Sequence, residues 1–177
     1  MDFLVVEGTV REGRKSIHAA RHVTSILDEE HDAELFDLKQ RDVPMMEHTR
    51  YGDSGEVPED VEEYGRKVEE ADCVVLVTPE YNHSITGALK NLFDYLYPEY
   101  EDKPFASVTV SGGGFGGVRA QMHLENILIE VGSIVGPSLA VSNVGDVFSS
   151  DGDIIDENYR GRFEKFCEQV LEHAERY

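Results

Sequence analysis

Short apolar runs alternate along this chain with longer segments in which apolar residues recur every three or four positions. The short runs predict strands at 3–6, 33–38, 73–77, 105–110 and 134–141. The helical spacing predicts helices at 16–30, 59–70, 87–97, 118–130 and 158–176. Because a helix follows each strand, the pattern indicates a parallel sheet with helices packed on both faces.

Five strands fit a flavodoxin-like domain better than the six-stranded fold that binds dinucleotides. We therefore predict one α/β domain over residues 1–177, a three-layer α/β/α fold whose five-stranded parallel sheet has the order 2-1-3-4-5. Pro137 has no backbone N–H, so the last strand is expected at an edge of the sheet. Ser16 is the predicted N-cap of the first helix. Residues 39–58, which include two prolines, are predicted to form a long loop.

The chain is strongly acidic, with 36 Asp and Glu against 16 Lys and Arg and a formal net charge of −20. A nucleic-acid binder needs basic residues, and an anionic membrane repels such a surface, so we expect neither partner. The acids recur in every part of the chain. This distribution predicts adaptation to a salt-rich cytoplasm, as in a halophile, where salt screens the repulsion between acids. An acidic protein from an ordinary cytoplasm is the alternative.

The first residues lack the basic flank and cleavage site of a signal peptide, and no apolar run approaches the roughly 20 residues that cross a bilayer. The two cysteines, Cys73 and Cys167, are too few for a disulfide framework, and no Cys/His cluster has zinc spacing. These features predict a cytoplasmic protein without a metal site.

Basic residues concentrate in the loop after the first strand, where Arg11, Arg14 and Lys15 lie between Gly8 and Ser16. Because a helix N-terminus offers free N–H groups and partial positive charge, this loop predicts a phosphate site. A solvated basic turn is the alternative. The glycine spacing is close to that of nucleoside triphosphatases, but Arg14 stands where their phosphate-binding lysine is needed, which disfavours that function.

Two further loops follow the third and fourth strands at the same edge of the predicted sheet. The first contains Pro79-Glu80-Tyr81-Asn82, which offers an aromatic wall and an amide to a flat heterocycle. The second, 111–117, is rich in glycine, and backbone without Cβ atoms lets a ligand approach closely. Its G-x-G-x-x-G spacing follows the fourth strand rather than the first, so it does not predict a dinucleotide site. A packed turn and a flexible loop are the alternatives.

Together the three loops resemble the NADPH-dependent FMN reductase family. The resemblance rests on Gly8-Thr9-Val10-Arg11, on residues 79–84 with 87–91, and on the glycine run that leads to Arg119-Ala120-Gln121. The family comprises flavodoxin-like proteins that include quinone, azo-dye and chromate reductases. It implies a noncovalent FMN cofactor, NADPH or NADH as co-substrate, and a homodimer or homotetramer in which a neighbouring subunit helps to close the flavin pocket.

The resemblance also implies where FMN binds. The phosphate is expected at Thr9, Arg11, Arg14, Lys15 and Ser16. The isoalloxazine ring is expected against Pro79, Glu80, Tyr81 and Asn82, and its pyrimidine edge at Ser111, Gly112 and Gly113. Since the cofactor carries the chemistry, no side chain is predicted as a catalytic acid or base.

The predicted function is NAD(P)H-dependent hydride transfer through FMN to a small acceptor, such as a quinone, a free flavin, an azo dye or a metal oxyanion. A flavodoxin-type one-electron carrier without NAD(P)H oxidation is the alternative, and a nonenzymatic sensor on this fold is a third possibility. Tyr95, Tyr97 and Tyr100 are candidates for a subunit contact, with packing inside the protomer as the other interpretation.

Overall fold

Five parallel strands form one sheet in the computed structural model, which describes residues 1–52 and 55–177. The strands are β1 (Asp2–Glu7), β2 (Asp32–Asp37), β3 (Cys73–Pro79), β4 (Pro104–Val110) and β5 (Ile134–Val141). Their order is β2-β1-β3-β4-β5, and all four neighbouring pairs are parallel. The predicted fold class is confirmed, and β5 lies at an edge, as Pro137 predicted.

Helices cover both faces of the sheet. They are α1 (Ser16–Leu27), α2 (Glu59–Glu70), α3 (Gly87–Asp94), α4 (Val118–Glu130), the short α5 (Val144–Val147) and α6 (Glu157–Ala174). Alternate residues of each central strand point to opposite faces, so there are two apolar cores. One core packs α1 and α6 against the sheet, and the other packs α2, α3 and α4 against it.

Three predicted helices run past the observed ends, the last of them by two residues, since it ends at Ala174 rather than at residue 176. The first ends at Leu27 rather than at residue 30, because the chain turns there to enter β2 at Asp32. The third ends at Asp94 rather than at residue 97. Beyond it the backbone tightens into bonds that span three residues, and Pro98 cannot continue an α-helix.

The predicted loop at 39–58 is held against the second core by arginines. Asp53 and Ser54 of this loop lie outside the described residues. Arg41 is paired with Glu63 of α2 at 2.7 Å. Arg50 is paired with Glu69 at 2.9 Å and also with Glu99, whose side chain is largely buried. These ion pairs fasten the described part of the loop to α2 and to Glu99, and bonds from Asn91 and Tyr95 to Pro44 fasten it to the end of α3.

Candidate functional site

A cavity of about 570 Å³ opens at the carboxyl edge of the sheet, where β1, β3 and β4 end. It is lined by Arg11, Gly13, Arg14, Lys15, Ser16, Pro79, Glu80, Tyr81, Val110, Ser111, Gly112, Val144 and Gly145. Since α1 packs on one face of the sheet and α3 on the other, the loops after β1 and β3 diverge and leave this crevice between them.

The structure brings most of the predicted site residues together around this cavity. Three of the predicted residues do not line it, namely Thr9, Asn82 and Gly113. Thr9 is buried just behind the cavity wall, and its Oγ1 lies 3.5 Å from the hydroxyl of Tyr81. Asn82 is exposed in the turn beyond Tyr81.

The α1 end of the cavity is suited to an anion. Among the residues that the structure describes, the backbone N–H groups of Ser16 and Ile17 meet no hydrogen-bond acceptor, and the N-cap residue Lys15 supplies no side-chain cap. Open N–H groups and the positive end of the helix dipole attract phosphate. The side chains of Arg11 and Lys15 add positive charge at the same place.

The prediction that Ser16 is the N-cap is wrong. Ser16 is the first helical residue, and its hydroxyl donates to Oε1 of Glu7 at 2.5 Å instead of accepting from the helix backbone. Arg14 is also held by carboxylates, because its Nε donates to Glu7 at 3.0 Å and its Nη2 donates to Asp37 at 2.5 Å. Two residues predicted to bind phosphate are therefore already bound to acids beneath the loop.

Tyr81 lines the cavity from the loop after β3. A tight turn fixes its backbone, since Tyr81 and Ser84 exchange N–H···O bonds of 3.0 and 3.1 Å. Asn82 and His83 complete this turn in the left-handed region, with φ of 50° and 64°. The guanidinium of Arg11 lies 6.0 Å from the centre of the Tyr81 ring. A cation of the β1 loop therefore lies close to the aromatic wall.

Glu80 lines the cavity, but its carboxylate holds α4. Its Oε2 accepts from the backbone N–H groups of Arg119 at 3.1 Å and Ala120 at 3.3 Å. These are N–H groups of the first helical turn, and the helix has only Gly117 at its N-cap. A side chain from the loop after β3 therefore caps the helix that follows β4.

The glycine loop after β4 supplies open backbone to the cavity. Within the described chain, the N–H groups of Gly112 and Gly113 have no hydrogen-bond acceptor. A Cβ atom on Gly112 would meet no protein atom within 4 Å. The loop is held by the carbonyl of Gly113, which accepts from the hydroxyl of Ser111 and from the N–H of Asn143 at 3.0 Å. This backbone can donate to a ligand that lies in the cavity.

Gly8 connects the loop after β1 to β3 and to the residue before α3. Its N–H donates to Val77 of β3 at 2.8 Å, and its carbonyl accepts from the hydroxyl of Thr86. A Cβ atom at this position would lie 2.9 Å from a side-chain carbon of Leu89 in α3. Only a residue without a side chain lets the loop after β1 pack this closely on α3.

The sequence prediction missed three features of this site. Val144 and Gly145 line the cavity from α5, which had too few residues to show a helical period. Glu7 lies beneath the basic loop, fully buried at the end of β1, whereas the predicted first strand stopped at residue 6. An acidic residue at the end of an otherwise apolar strand, before a glycine, was the available signal for it.

Comparison with known proteins assigns the family. Residues 1–146 match the family described as NADPH-dependent FMN reductase. The chain belongs to this family. Membership makes it an enzyme and gives FMN as its cofactor and NAD(P)H as its co-substrate, as the sequence predicted.

Several relatives carry related activities in their names. The chain is 29% identical to an NAD(P)H-dependent FMN reductase of Pseudomonas aeruginosa, over 89% of this chain and 86% of that protein. It is 40% identical to an NAD(P)H:quinone oxidoreductase of Solanum tuberosum, over 62% of this chain and 59% of that protein. An NADPH azoreductase of a Bacillus species is 36% identical over 70% of this chain and 67% of its own length.

Solved structures share the fold. A flavoenzyme NAD(P)H:(acceptor) oxidoreductase of Paracoccus denitrificans superposes with a TM-score of 0.81 and 24% sequence identity, covering 99% of this chain and 97% of that one. An NADH:FMN oxidoreductase in its apo form superposes with a TM-score of 0.75 over 96% of this chain and 87% of that one, at 15% identity. Both likenesses show the flavodoxin-like architecture.

The donor set of the cavity fits FMN. A phosphate needs N–H donors and cations, which the α1 end provides through Ser16, Arg11 and Lys15. A flat ring with donors and acceptors along one edge needs an aromatic wall and free backbone N–H groups. Tyr81, from the loop after β3, and Gly112, from the loop after β4, supply these. No group of three or more metal-ligating side chains occurs in residues 1–52 and 55–177.

The capping role of Glu80 generates a prediction. We expect Glu80→Ala to lower the free energy of unfolding by about 1 kcal/mol, because α4 loses its N-terminal acceptor. Glu80→Gln keeps an amide oxygen and should lose less. Urea denaturation followed by circular dichroism measures both. Glu168→Ala, which removes an exposed carboxylate from α6, is the control for charge alone. Equal stability of the Ala variant and the unaltered protein would show that Glu80 does not cap α4.

Proposed function

We propose that this protein is an NAD(P)H-dependent FMN oxidoreductase that reduces a small acceptor, of the quinone, free flavin, azo or metal-oxyanion type. The observation that carries the proposal is the composition of the cavity, in which cations and open helix N–H groups from the loop after β1 meet an aromatic wall and open glycine backbone from the loops after β3 and β4. When bound there, FMN supplies hydride acceptance from NAD(P)H and electron donation to the acceptor.

At the α1 end, the chain binds and orients the phosphate. The N–H groups of Ser16 and Ile17 point out of the helix, and Arg11 and Lys15 bring the positive charge that a dianion needs. We propose the phosphate contacts that the sequence predicted. Thr9 differs from the others in position, because it is buried behind the cavity wall with its Oγ1 beside the hydroxyl of Tyr81. Arg14 contributes its charge from a position that Glu7 and Asp37 fix.

At the other end, the chain positions the ring and stabilises charge on it. Pro79 and Tyr81 bound one side, with Asn82 in the adjoining turn. The N–H groups of Gly112 and Gly113 have no acceptor within the described chain, and we propose that they would donate to the pyrimidine edge of a bound ring and favour negative charge there. No side chain is required to move a proton. Because both substrates use the same open side of the cavity, we expect ping-pong kinetics.

The one-electron carrier is the weaker proposal. Relatives of this chain are named reductases of quinones, FMN and azo compounds, which favours the enzyme.

A turnover assay tests the proposed function. Protein loaded with FMN in molar KCl should oxidise NADPH or NADH when a quinone is added, as followed by nicotinamide absorbance. Arg11→Ala should weaken FMN binding about tenfold or more, since hydrogen bonds to charged groups contribute about 1.5–3 kcal/mol. Arg21→Ala removes an exposed arginine from α1 outside the cavity lining and should leave binding unchanged. FMN binding without NAD(P)H oxidation would favour the carrier.

We also propose a homo-oligomer that assembles through α3 and α4. Val118, Met122 and Ile129 form an exposed apolar stripe along α4, with Met122 58% and Ile129 65% exposed. Two grooves beside this stripe share Lys90, Asn126 and Ile127 of α3 and α4. We call this surface the α3–α4 face. It begins at Ser84–Thr86, next to the Tyr81 turn, so a second copy bound there would lie beside the flavin cavity.

Of the three tyrosines considered for a subunit contact, two are buried and one is exposed. Tyr95 and Tyr100 pack inside the protomer, and the hydroxyl of Tyr100 donates to that of Tyr64. Tyr97 is exposed at the end of the α3–α4 face. Of the three, it alone is available to a second copy.

A charge placed on the α3–α4 face tests the assembly. Ile129→Arg should shift the protein from oligomer to monomer, because a charged side chain would be buried at the interface without a partner. Light scattering or sedimentation in molar KCl measures the mass. Ile155→Arg alters an equally exposed isoleucine outside this face and should have no effect. An unaltered protein that is monomeric in molar KCl would contradict the proposal.

The acidity supports adaptation to a salt-rich cytoplasm, which we propose as the working environment. Within the described residues, no helix combines the length and apolarity that crossing a membrane requires. At about 1 M salt the Debye length is about 3 Å, so repulsion among the acids is screened. The melting temperature should therefore rise from dilute buffer to molar KCl. A melting temperature that is independent of KCl would indicate an ordinary acidic protein.

A further inference from the structure

Glu7 is a fully buried carboxylate that the proposed function does not use. It is the last residue of β1, and in the parallel register it lies opposite Asp37, the last residue of β2. Parallel pairing therefore places two acids side by side directly beneath the phosphate end of the cavity. On its other side Glu7 faces Val77 of β3, which carries no charge.

Both oxygens of Glu7 accept hydrogen bonds. Oε1 accepts from the hydroxyl of Ser16 at 2.5 Å. Oε2 accepts from Nε of Arg14 at 3.0 Å and from the backbone N–H of Thr9 at 3.2 Å. A hydroxyl has one hydrogen to donate, so Ser16 cannot donate to a phosphate while it donates to Glu7.

The charges around Glu7 do not balance once a phosphate arrives. Arg14 is shared between Glu7 and Asp37, which leaves one negative charge in excess. A phosphate carries about two more at neutral pH, against the two positive charges of Arg11 and Lys15. Glu12 and Lys39 pair with each other at 2.6 Å and cancel. One proton makes the assembly neutral, and an uncompensated buried charge is costly.

Glu7 is the group best placed to take that proton. Burial raises the pKa of its carboxyl, and the nearby Asp37 raises it further, although the bonds from Ser16, Thr9 and Arg14 act in the opposite direction. A protonated carboxyl can donate, which reverses its hydrogen bond with Ser16. The hydroxyl of Ser16 is then free to point its hydrogen into the cavity.

We propose that Glu7 takes up one proton from solvent when the phosphate of FMN binds, and that this releases the Ser16 hydroxyl to donate to the phosphate. In the bound state the new O–H of Glu7 donates to Oγ of Ser16, and Oγ–H of Ser16 donates to a phosphate oxygen. Glu7 thereby acts as a positioning residue and couples cofactor affinity to pH. This inference rests on the proposed function, because it takes FMN as the ligand.

Calorimetric titration with FMN measures the proton directly. In buffers of different ionisation enthalpy at about pH 8, where free phosphate monoesters are dianionic, binding should take up roughly one proton per FMN. Riboflavin, which lacks the phosphate, should take up none. The dissociation constant for FMN should rise by up to about tenfold per pH unit above about pH 7, as one-proton linkage requires.

Two variants separate Glu7 from its surroundings. Glu7→Gln keeps the shape and the acceptor oxygen but has no titrating group, so proton uptake and the pH dependence above about pH 7 should both disappear. Glu30→Gln removes one exposed negative charge beyond the end of α1, outside this set of charges, and should keep both. Circular dichroism checks that each variant is folded. If Glu7→Gln does not fold, phosphorus NMR of FMN bound to the unaltered protein shows whether the phosphate stays dianionic as the inference requires, and a protonated phosphate overturns it.

Each failure has its own meaning. FMN binding without proton uptake overturns this inference and leaves the proposed function intact. Uptake that persists in Glu7→Gln places the proton elsewhere, on the phosphate or on Asp37, and also overturns it. A protein that does not bind FMN at all overturns the proposed function together with this inference.

Discussion

Parallel pairing between β1 and β3 is the constraint on which the site depends. It extends one bond beyond the last ladder pair, from the N–H of Gly8 to Val77, so the loops after both strands leave from adjacent points. The following helices then pack on opposite faces of the sheet, α1 with α6 and α3 with α2 and α4. The two loops must diverge, and the gap between them becomes the cavity.

The electrostatics of the cavity follow from the same edge. Strands in parallel register end together, and here β1 and β2 end in acids that face each other. Arg14 lies between these acids and neutralises one charge, while Arg11 and Lys15 remain at the cavity. A chain with a net charge of −20 thus keeps a cationic end to its cavity, and a network of acids beneath it limits how positive that end becomes.

Sequence patterns predicted the elements that a repeated physical signal specifies. Apolar runs identified the buried strands, and the missing N–H of Pro137 placed β5 at an edge. The pattern could not locate the end of a helix where the chain passes into turns, as happens after Asp94. It also could not show the four-residue α5, which is shorter than two helical periods. It also took Ser16 for a cap, because a hydroxyl beside a helix start signals capping unless another residue takes its hydrogen. Glu7, the residue that does so, is nine positions away in sequence and adjacent only in the folded sheet.

Gly8 links the loop after β1 to the loop after β3. Its backbone lies so near Leu89 that a Cβ atom there would clash, its carbonyl accepts from Thr86, and Glu80 fastens the loop that contains Tyr81 to α4. The loop after β3 therefore cannot be replaced without changing the residues that it contacts in the loop after β1. A graft that broadens the range of acceptors, taken from a homologue with a different residue at the Thr86 position, will also disturb cofactor retention unless the start of the β1 loop is transplanted with it.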